Sequence, residues 1–289
     1  MTALVDRGAE GPDVRELLCR GHGRRIMPAC DASRMPRPGT RIVTVDEPQE
    51  RGRHRGLAYT LFLPAEPRVP AGAVLVLHGA GSTKESHQDF ARACREVGLA
   101  ALCVDLRGHG ESDGPMDGRA VEDVVALAQH LRARVAERCP AAPAPLPLAL
   151  RGSSMGGWFA LTAAAGARAD AVVAICPASS DGLRRGLQEG RFAFAADEEP
   201  LLQLLAEHDP YVAAGDLGER LLLLHAEGDE TVPVEHSREL HARAPGSRLI
   251  AVPGGHHRSI QHDAELQGVA LRFVARRFRA VADGAQGSR

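Results

Sequence analysis

Ser154 lies in a pattern that could turn a serine hydroxyl into a nucleophile. It occupies the centre of Gly152-Ser153-Ser154-Met155-Gly156, which follows the apolar run 146–150 and precedes an alanine-rich segment. A Gly-x-Ser-x-Gly segment between a strand and a helix is the signature of a nucleophile elbow, because small residues let the chain turn tightly and lift the hydroxyl clear of the sheet. The following helix points its positive end at the reacting carbonyl. The sequence therefore predicts nucleophilic chemistry at Ser154.

An acid for the same chemistry is expected in a loop after a later strand. A serine hydroxyl needs an adjacent base, and the base needs an orienting carboxylate. On a doubly wound sheet these groups belong at the C-terminal ends of strands. The loop after the apolar run 221–224 offers Glu227, Asp229 and Glu230. Of these, Asp229 follows a glycine turn and precedes a proline.

The base is expected after the last strand, where two histidines are adjacent. His256 and His257 follow Gly254 and Gly255. Neighbouring side chains cannot both point the same way along a chain, so one of the two should be the base. We predict His257 and keep His256 as the alternative.

Two backbone N–H groups are expected to form an oxyanion hole. One belongs to Met155, the residue after the nucleophile. The second should come from the loop that follows the strand ending at His78, where Ala80 stands between Gly79 and Gly81. The glycines allow the backbone to approach the substrate closely.

Apolar runs that alternate with helical spacing predict the elements that position these residues. The pattern indicates an α/β fold with a doubly wound, mostly parallel sheet of eight strands. The first two strands are expected as a hairpin at 41–45 and 57–63, with Arg-Gly-Arg between them. The last helix is expected over 264–281. The catalytic domain should therefore span 41–281, after a mobile N-terminal extension, 1–40, and before a C-terminal tail, 282–289.

Composition and charge narrow the function classes. The chain has 289 residues and a formal net charge of -2, so nothing favours nucleic acid or an anionic membrane as a partner. Its six cysteines form no CxxC pair, and we expect free thiols in a reducing, cytoplasmic setting. No metal-ligand spacing occurs among the histidines. Lys84 is the only lysine, which is typical of the arginine bias of a GC-rich bacterial genome.

Together these motifs resemble the α/β-hydrolase superfamily over roughly residues 41–280. The segment 78–82 looks like its oxyanion loop, 105–112 resembles its Asp-x-Arg-Gly-x-Gly-x-Ser turn, and 152–157 matches Gly-x-Ser-Met-Gly-Gly. The Gly-Asp-x-x-Val-Pro pattern around Asp229 resembles the acid loop of this superfamily. Within it, the chain looks closest to small bacterial esterases of the lysophospholipase and serine-aminopeptidase-like group.

The resemblance implies a serine hydrolase that cleaves small-molecule carboxylic esters through Ser154, His257 and Asp229, with no metal or organic cofactor. An acyltransferase, thioesterase or peptidase with the same triad is the alternative, and a non-catalytic ligand-binding relative is a second. The superfamily carries its cap after the sixth strand, so 177–217 is expected to form a small cap of two or three short helices. Such a cap favours short or medium acyl groups. The sequence leaves the oligomeric state open.

Overall fold

Eight segments pair into one sheet in the computed structural model, which describes residues 47–287. The strands are β1 (Glu50–His54), β2 (Leu57–Phe62), β3 (Ala73–Leu77), β4 (Ala100–Val104), β5 (Leu148–Ser153), β6 (Ala171–Ile175), β7 (Leu221–Ala226) and β8 (Arg248–Val252). Their order in the sheet is β1-β2-β4-β3-β5-β6-β7-β8. Every pair from β4 to β8 is parallel, and the two pairs that involve β2 are antiparallel. The prediction of a mostly parallel eight-stranded sheet is confirmed.

The first strand is not where we predicted it. β1 contains the Arg-Gly-Arg segment that we assigned to the hairpin connection, and the predicted strand 41–45 lies outside the described residues. The turn is instead Arg55-Gly56, with φ of 50° and 80°. Positive φ at both positions suits the twist of a two-residue hairpin. β1 needs no apolar run because it is an edge strand, whose residues alternate between exposed and half-buried.

Helices cover both faces of the sheet, as the period-two pattern of its strands requires. Along β3, Leu75 and Leu77 join one buried cluster, whereas Val74 and Val76 join the other. The helices are α1 (Gln88–Glu96), α2 (Ala120–Arg138), α3 (Met155–Thr162), α4 (Ala164–Ala167), α5 (Ser180–Gln188), α6 (Glu198–Glu207), α7 (Pro210–Leu217), α8 (Val234–Arg243) and α9 (Ala264–Gly287). Side chains of α1 and α9 pack in the cluster of Val74, and those of α2, α3 and α4 pack in the cluster of Leu75.

The structure describes most of the predicted C-terminal tail but not the predicted N-terminal extension. α9 continues to Gly287, beyond its predicted end at Val281, so most of the predicted tail 282–289 is helical. The tail has no proline, and each of its two glycines costs a helix only about 1 kcal/mol. The predicted extension 1–40 lies outside the described residues. Within residues 47–287, no helix is both long and apolar enough to cross a membrane.

Three helices occupy the predicted cap segment 177–217: α5, α6 and α7. The connection between α5 and α6 lies against the loop after β4. There, the Met116 N–H donates to Ala195 O at 2.8 Å, and the Asp197 N–H donates to Met116 O at 2.8 Å. The segment is therefore tied to the body of the domain at a point between its first two helices.

The described cysteines are free thiols, in agreement with the sequence. They are Cys94, Cys103, Cys139 and Cys176. Burial raises the pKa of the Cys103 thiol to about 12, so it packs as a small apolar side chain. Cys19 and Cys30 lie outside the described residues.

Candidate active site

Ser154 stands at a strained turn between β5 and α3. Its backbone has φ 54° and ψ -118°, a conformation that non-glycine residues rarely adopt. The turn is closely packed: a Cβ at Gly152 would lie 1.9 Å from Gly156 O, and one at Gly156 would lie 2.3 Å from Leu77 O. Only glycine fits at either position, which explains the two glycines of the Gly-x-Ser-x-Gly pattern. The turn leaves Ser154 partly accessible while both of its neighbours are buried.

The predicted oxyanion loop lies directly against the nucleophile. It follows β3, and a Cβ at Gly79 would sit 3.2 Å from Ser154 Cβ. Ala80 is the next residue along the loop and lines the same cleft as Ser154. Met155 is the first residue of α3, where backbone N–H groups have no partner within the helix. The structure therefore places Ala80 in the cleft of Ser154, and Met155 at the start of the helix that follows Ser154.

Two neutral histidines hold this loop. The Leu106 N–H donates to His78 Nε2 at 3.0 Å, so the ring proton is on Nδ1 and donates to Gly79 O at 2.7 Å. The Gly81 N–H donates to His109 Nε2 at 3.1 Å. Burial lowers the pKa of His78 to about 4 and also lowers that of His109. Both rings are therefore neutral acceptors at pH 7, and His78 braces its own loop.

The only lysine of the chain fixes the far end of the same loop. Lys84 Nζ lies 2.6 Å from Asp105 Oδ2 and 2.7 Å from Glu111 Oε2, and its side chain is only 3% exposed. Its backbone N–H donates to the other oxygen of Asp105 at 2.7 Å. Burial opposes the charge on Lys84, but hydrogen bonds to Asp105, Glu111 and Glu85 outweigh it and raise the pKa. The turn 105–112 thus anchors the oxyanion loop.

Asp229, rather than a neighbouring glutamate, contacts a histidine. Its Oδ2 lies 2.7 Å from His257 Nδ1, and its Oδ1 accepts from the N–H groups of Thr231 and Val232, both at 2.8 Å. Glu227 is bound to Arg238 at the surface, and Glu230 is exposed.

The Asp229 carboxylate is held in its charged form. Burial opposes ionisation, but hydrogen bonds from His225, His257 and the two backbone N–H groups outweigh it and hold the pKa of Asp229 far below its usual range. The group is therefore an anion at neutral pH, as an orienting acid must be.

His225 and Cys176 complete the surroundings of Asp229, and the sequence did not reveal either. His225 Nε2 lies 3.4 Å from Asp229 Oδ2 and 2.9 Å from Val232 O, while its Nδ1 contacts Ser237 Oγ at 2.7 Å. Burial raises the pKa of the Cys176 thiol, which also contacts Asp229.

These three side chains are the one group in residues 47–287 whose donor atoms could converge on a metal ion, since they lie within 4.8 Å of one another. Their chemistry fits hydrogen bonding better. Both ring nitrogens of His225 already have partners. The cluster is best described as a hydrogen-bonded support of Asp229.

The two candidate bases point in different directions. The His257 side chain is 13% exposed and contacts Asp229. His256 is exposed, and its ring accepts from the Arg258 N–H at 3.3 Å. Ser154 and His257 line one cleft of about 220 Å³, although no hydrogen bond joins their side chains among the described residues. In free enzymes such contacts are often long and tighten only when substrate binds.

Gln261 connects the histidine loop to the strand that carries Ser154, and the sequence analysis missed it. Its backbone carbonyl accepts from Arg151 Nη2 at 2.8 Å, and its side-chain Oε1 accepts from Ser153 Oγ at 2.7 Å. Arg151 is 1% exposed and lies over the Phe90 ring, with its guanidinium carbon 4.3 Å from the ring centroid. The available sequence signal was Arg151 itself, an arginine within an apolar strand and one residue before the elbow motif.

A second, apolar crevice lies beside α3 under the cap segment. Met155 and Phe159 line it from the elbow helix, and α5, α6 and the chain between them supply the opposite wall. The other lining residues are Met116, Leu183, Leu187, Phe192, Phe194, Leu201 and Leu205. Its free volume is about 10 Å³, enough for one water molecule. The side chains of the cap segment therefore nearly fill it.

Comparisons with known proteins agree with this arrangement. A family model described as serine aminopeptidase, S33, matches residues 68–196, which include β3 to β6 and the elbow. No curated protein matches the chain in sequence.

Several solved structures share the fold. Est1E from Butyrivibrio proteoclasticus, solved with ferulic acid, is 19% identical with a TM-score of 0.60, over 81% of this chain and 99% of that one. A monoacylglycerol lipase from Paleococcus ferrophilus is 17% identical with a TM-score of 0.56, over 77% and 98%. XC6422 from Xanthomonas campestris, described as a serine hydrolase without lid, is 22% identical with a TM-score of 0.55, over 77% and 89%. Together with the family match, they show that this chain has the α/β-hydrolase fold.

Proposed function

We propose that this protein is a serine hydrolase that cleaves carboxylic esters through Ser154, His257 and Asp229. One observation carries the proposal. The strained Ser154 shares a cleft with His257, whose Nδ1 lies 2.7 Å from the buried carboxylate of Asp229. A nucleophile, a base and an orienting acid in this arrangement are the requirement for acyl transfer. The monoacylglycerol lipase among the structural neighbours supports the same activity.

The reaction would proceed through an acyl-enzyme. Ser154 Oγ attacks the ester carbonyl while His257 Nε2 takes its proton, and the backbone N–H groups of Ala80 and Met155 stabilise the oxyanion. His257 then protonates the leaving alcohol. Water, deprotonated by the same imidazole, releases the acyl group from Ser154. Asp229 remains ionised throughout and stabilises the imidazolium.

The apolar crevice beside Met155 is the best candidate for the acyl side. It has no polar lining residue, but its free volume of about 10 Å³ does not admit a long chain unless Phe192 and Phe194 move. We therefore expect short or medium acyl groups to react faster than long ones. A series of 4-nitrophenyl esters with acyl chains of graded length tests this, and a maximum at long chains would contradict it.

Two experiments test the activity itself. A fluorophosphonate probe should label the wild type but not Ser154→Ala, and equal labelling of both proteins would contradict the assignment of the nucleophile. The match to a serine aminopeptidase family favours a peptidase as the second candidate. Rates on aminoacyl anilides, thioesters and esters with the same acyl group, with and without competing alcohols, separate peptidase, thioesterase, acyltransferase and esterase activity.

A further inference from the structure

The cleft that contains His257 should receive the leaving group of the substrate, given the proposed function. The histidine that accepts the Ser154 proton must hand it to the leaving oxygen, so that oxygen lies within reach of His257. The apolar crevice is lined by Met155 and Phe159, and His257 does not line it. The two spaces therefore divide the ester into an acyl side and an alcohol side of opposite character.

The walls of this cleft are polar and firmly held. His262 Nδ1 lies 3.0 Å from Asp89 Oδ2, and Gln261 Nε2 donates to His262 Nε2 at 3.0 Å. Gln261 is itself fixed by the buried Arg151. The hydrogen-bonding atoms of these side chains are engaged with one another. The side chains therefore shape the cleft and offer few free donors to a ligand.

Ser82 and Ser86 form the opposite wall and leave an acceptor. Ser86 Oγ donates to Thr83 O at 2.7 Å, so the 2.6 Å contact between the two hydroxyls uses the proton of Ser82. The free lone pairs of Ser82 Oγ can therefore accept a hydrogen bond from a hydroxyl of the ligand.

Arg258 is the cation of this cleft. It lines the cleft next to His257 and is exposed. In the part of the chain that the structure describes, its guanidinium has no ion-pair or hydrogen-bond partner, and only its backbone N–H is engaged, with His256. Asp89, which holds the cleft residue His262, is occupied by His262, Gln267 and the Phe90 N–H. The free charge that faces a ligand is therefore positive.

We propose that this cleft selects esters whose alcohol carries an anionic group, a carboxylate or a phosphate, that pairs with Arg258. The ester C–O bond breaks, His257 gives its proton to the leaving oxygen, and the product is a hydroxylated anion. A guanidinium suits either anion because its parallel N–H groups bind two oxygens at once.

Matched esters test the proposal. Butanoyl esters of 3-hydroxypropanoate and of glycerol 3-phosphate are compared with those of 1-propanol and glycerol, and kcat/KM is measured for each. We expect about a tenfold preference for the anionic esters, the usual scale of one charge-assisted hydrogen bond. The preference should shrink in 0.5 M NaCl because salt screens exposed charges.

Variants test whether the charge of Arg258 causes the preference for anionic esters. Arg258→Gln should bring the ratio of kcat/KM values close to one, and Arg258→Glu should invert it. Arg238→Gln is the control, since Arg238 pairs with Glu227 and Glu235 outside the cleft, and it should keep the wild-type ratio.

A wild type without preference, or an Arg258→Gln variant that keeps it, would overturn the proposal. If the wild type hydrolyses none of the four esters and is not labelled by the fluorophosphonate probe, the result instead contradicts the proposed function. A preference for only one of the two anions would still support the pairing and identify its partner.

Discussion

The backbone carbonyl of Gln261 accepts a hydrogen bond from the buried guanidinium of Arg151 at 2.8 Å. Arg151 belongs to the strand that ends at the elbow, and Gln261 belongs to the loop that carries His257. The bond therefore links the segments of the nucleophile and the base without passing through either side chain. Ser153 Oγ adds a second link to the Gln261 side chain.

Gln261→Ala should reduce turnover more than stability. It removes the acceptor of Ser153 Oγ but keeps the carbonyl that Arg151 binds, so we expect a loss of about 1 kcal/mol in the free energy of unfolding. Loss of the side-chain link should let the His257 loop move, and small misplacements of catalytic groups cost about 10² in rate. The measurements are urea unfolding and kcat on a short-chain ester.

Gln203→Ala on α6 is the matched control, because this exposed glutamine donates a hydrogen bond to Glu207 on the same helix. It should leave both quantities unchanged. An unchanged kcat in Gln261→Ala would show that the link has no part in positioning His257.

The two histidines of the loop should respond differently to alanine. His257→Ala removes the group that contacts Asp229, and we expect kcat to fall by about 10⁴ or more, as for other triads. His256→Ala removes an exposed ring and should keep kcat within about threefold. Steady-state kinetics on both variants decides the matter, and an inactive His256→Ala with an active His257→Ala would reverse the assignment of the base.

The sequence could predict the elements whose chemistry is local. Gly152 and Gly156 are required by steric clashes within a few residues, so the elbow is recognisable from its motif alone. The parallel strands are continuous apolar runs because both of their faces are buried. The edge strand Glu50–His54 was missed because it pairs through backbone groups and buries little apolar surface.

The supports of the site could not be predicted, because they join residues that are distant along the chain. Arg151 and Gln261, or Cys176 and Asp229, have no sequence pattern that predicts their contact. The choice between His256 and His257 likewise depends on the direction of each ring, which the loop geometry sets.

Lys84 should be one of the largest single contributors to the stability of the oxyanion loop. Lys84→Met leaves Asp105, whose side chain is fully buried, without its cation, and breaking a buried ion pair in this way costs about 3–5 kcal/mol. Arg51→Met is the control, because Arg51 and its partner Glu47 are both mostly exposed. It should cost less than about 1 kcal/mol. Thermal and urea unfolding compare the two, and equal costs would contradict a structural role of the buried cluster.

Buried neutral histidines should make the fold sensitive to acid. Burial lowers the pKa of His78 to about 4 and that of His87 to about 2, where Arg151 adds to the effect. In the unfolded chain both titrate near 6.5. Below about pH 6.5 the unfolded state therefore binds protons at these two histidines that the folded state does not bind. The free energy of unfolding consequently falls as the pH falls. Above that pH both states are neutral at these rings, and their contribution is fully present.

Urea unfolding between pH 7.5 and pH 4.5 should consequently show a loss of up to about 1.4 kcal/mol per pH unit for each such histidine below pH 6. His78→Gln removes one of these titrating groups, so its stability should be lower at pH 7.5 but should decline less steeply with acid. The difference between the two slopes isolates His78 from the other titrating groups, since those remain in both proteins. Parallel curves for wild type and His78→Gln would mean that His78 can be protonated in the folded state. The neutral ring that accepts from the Leu106 N–H and donates to Gly79 O would then need another explanation.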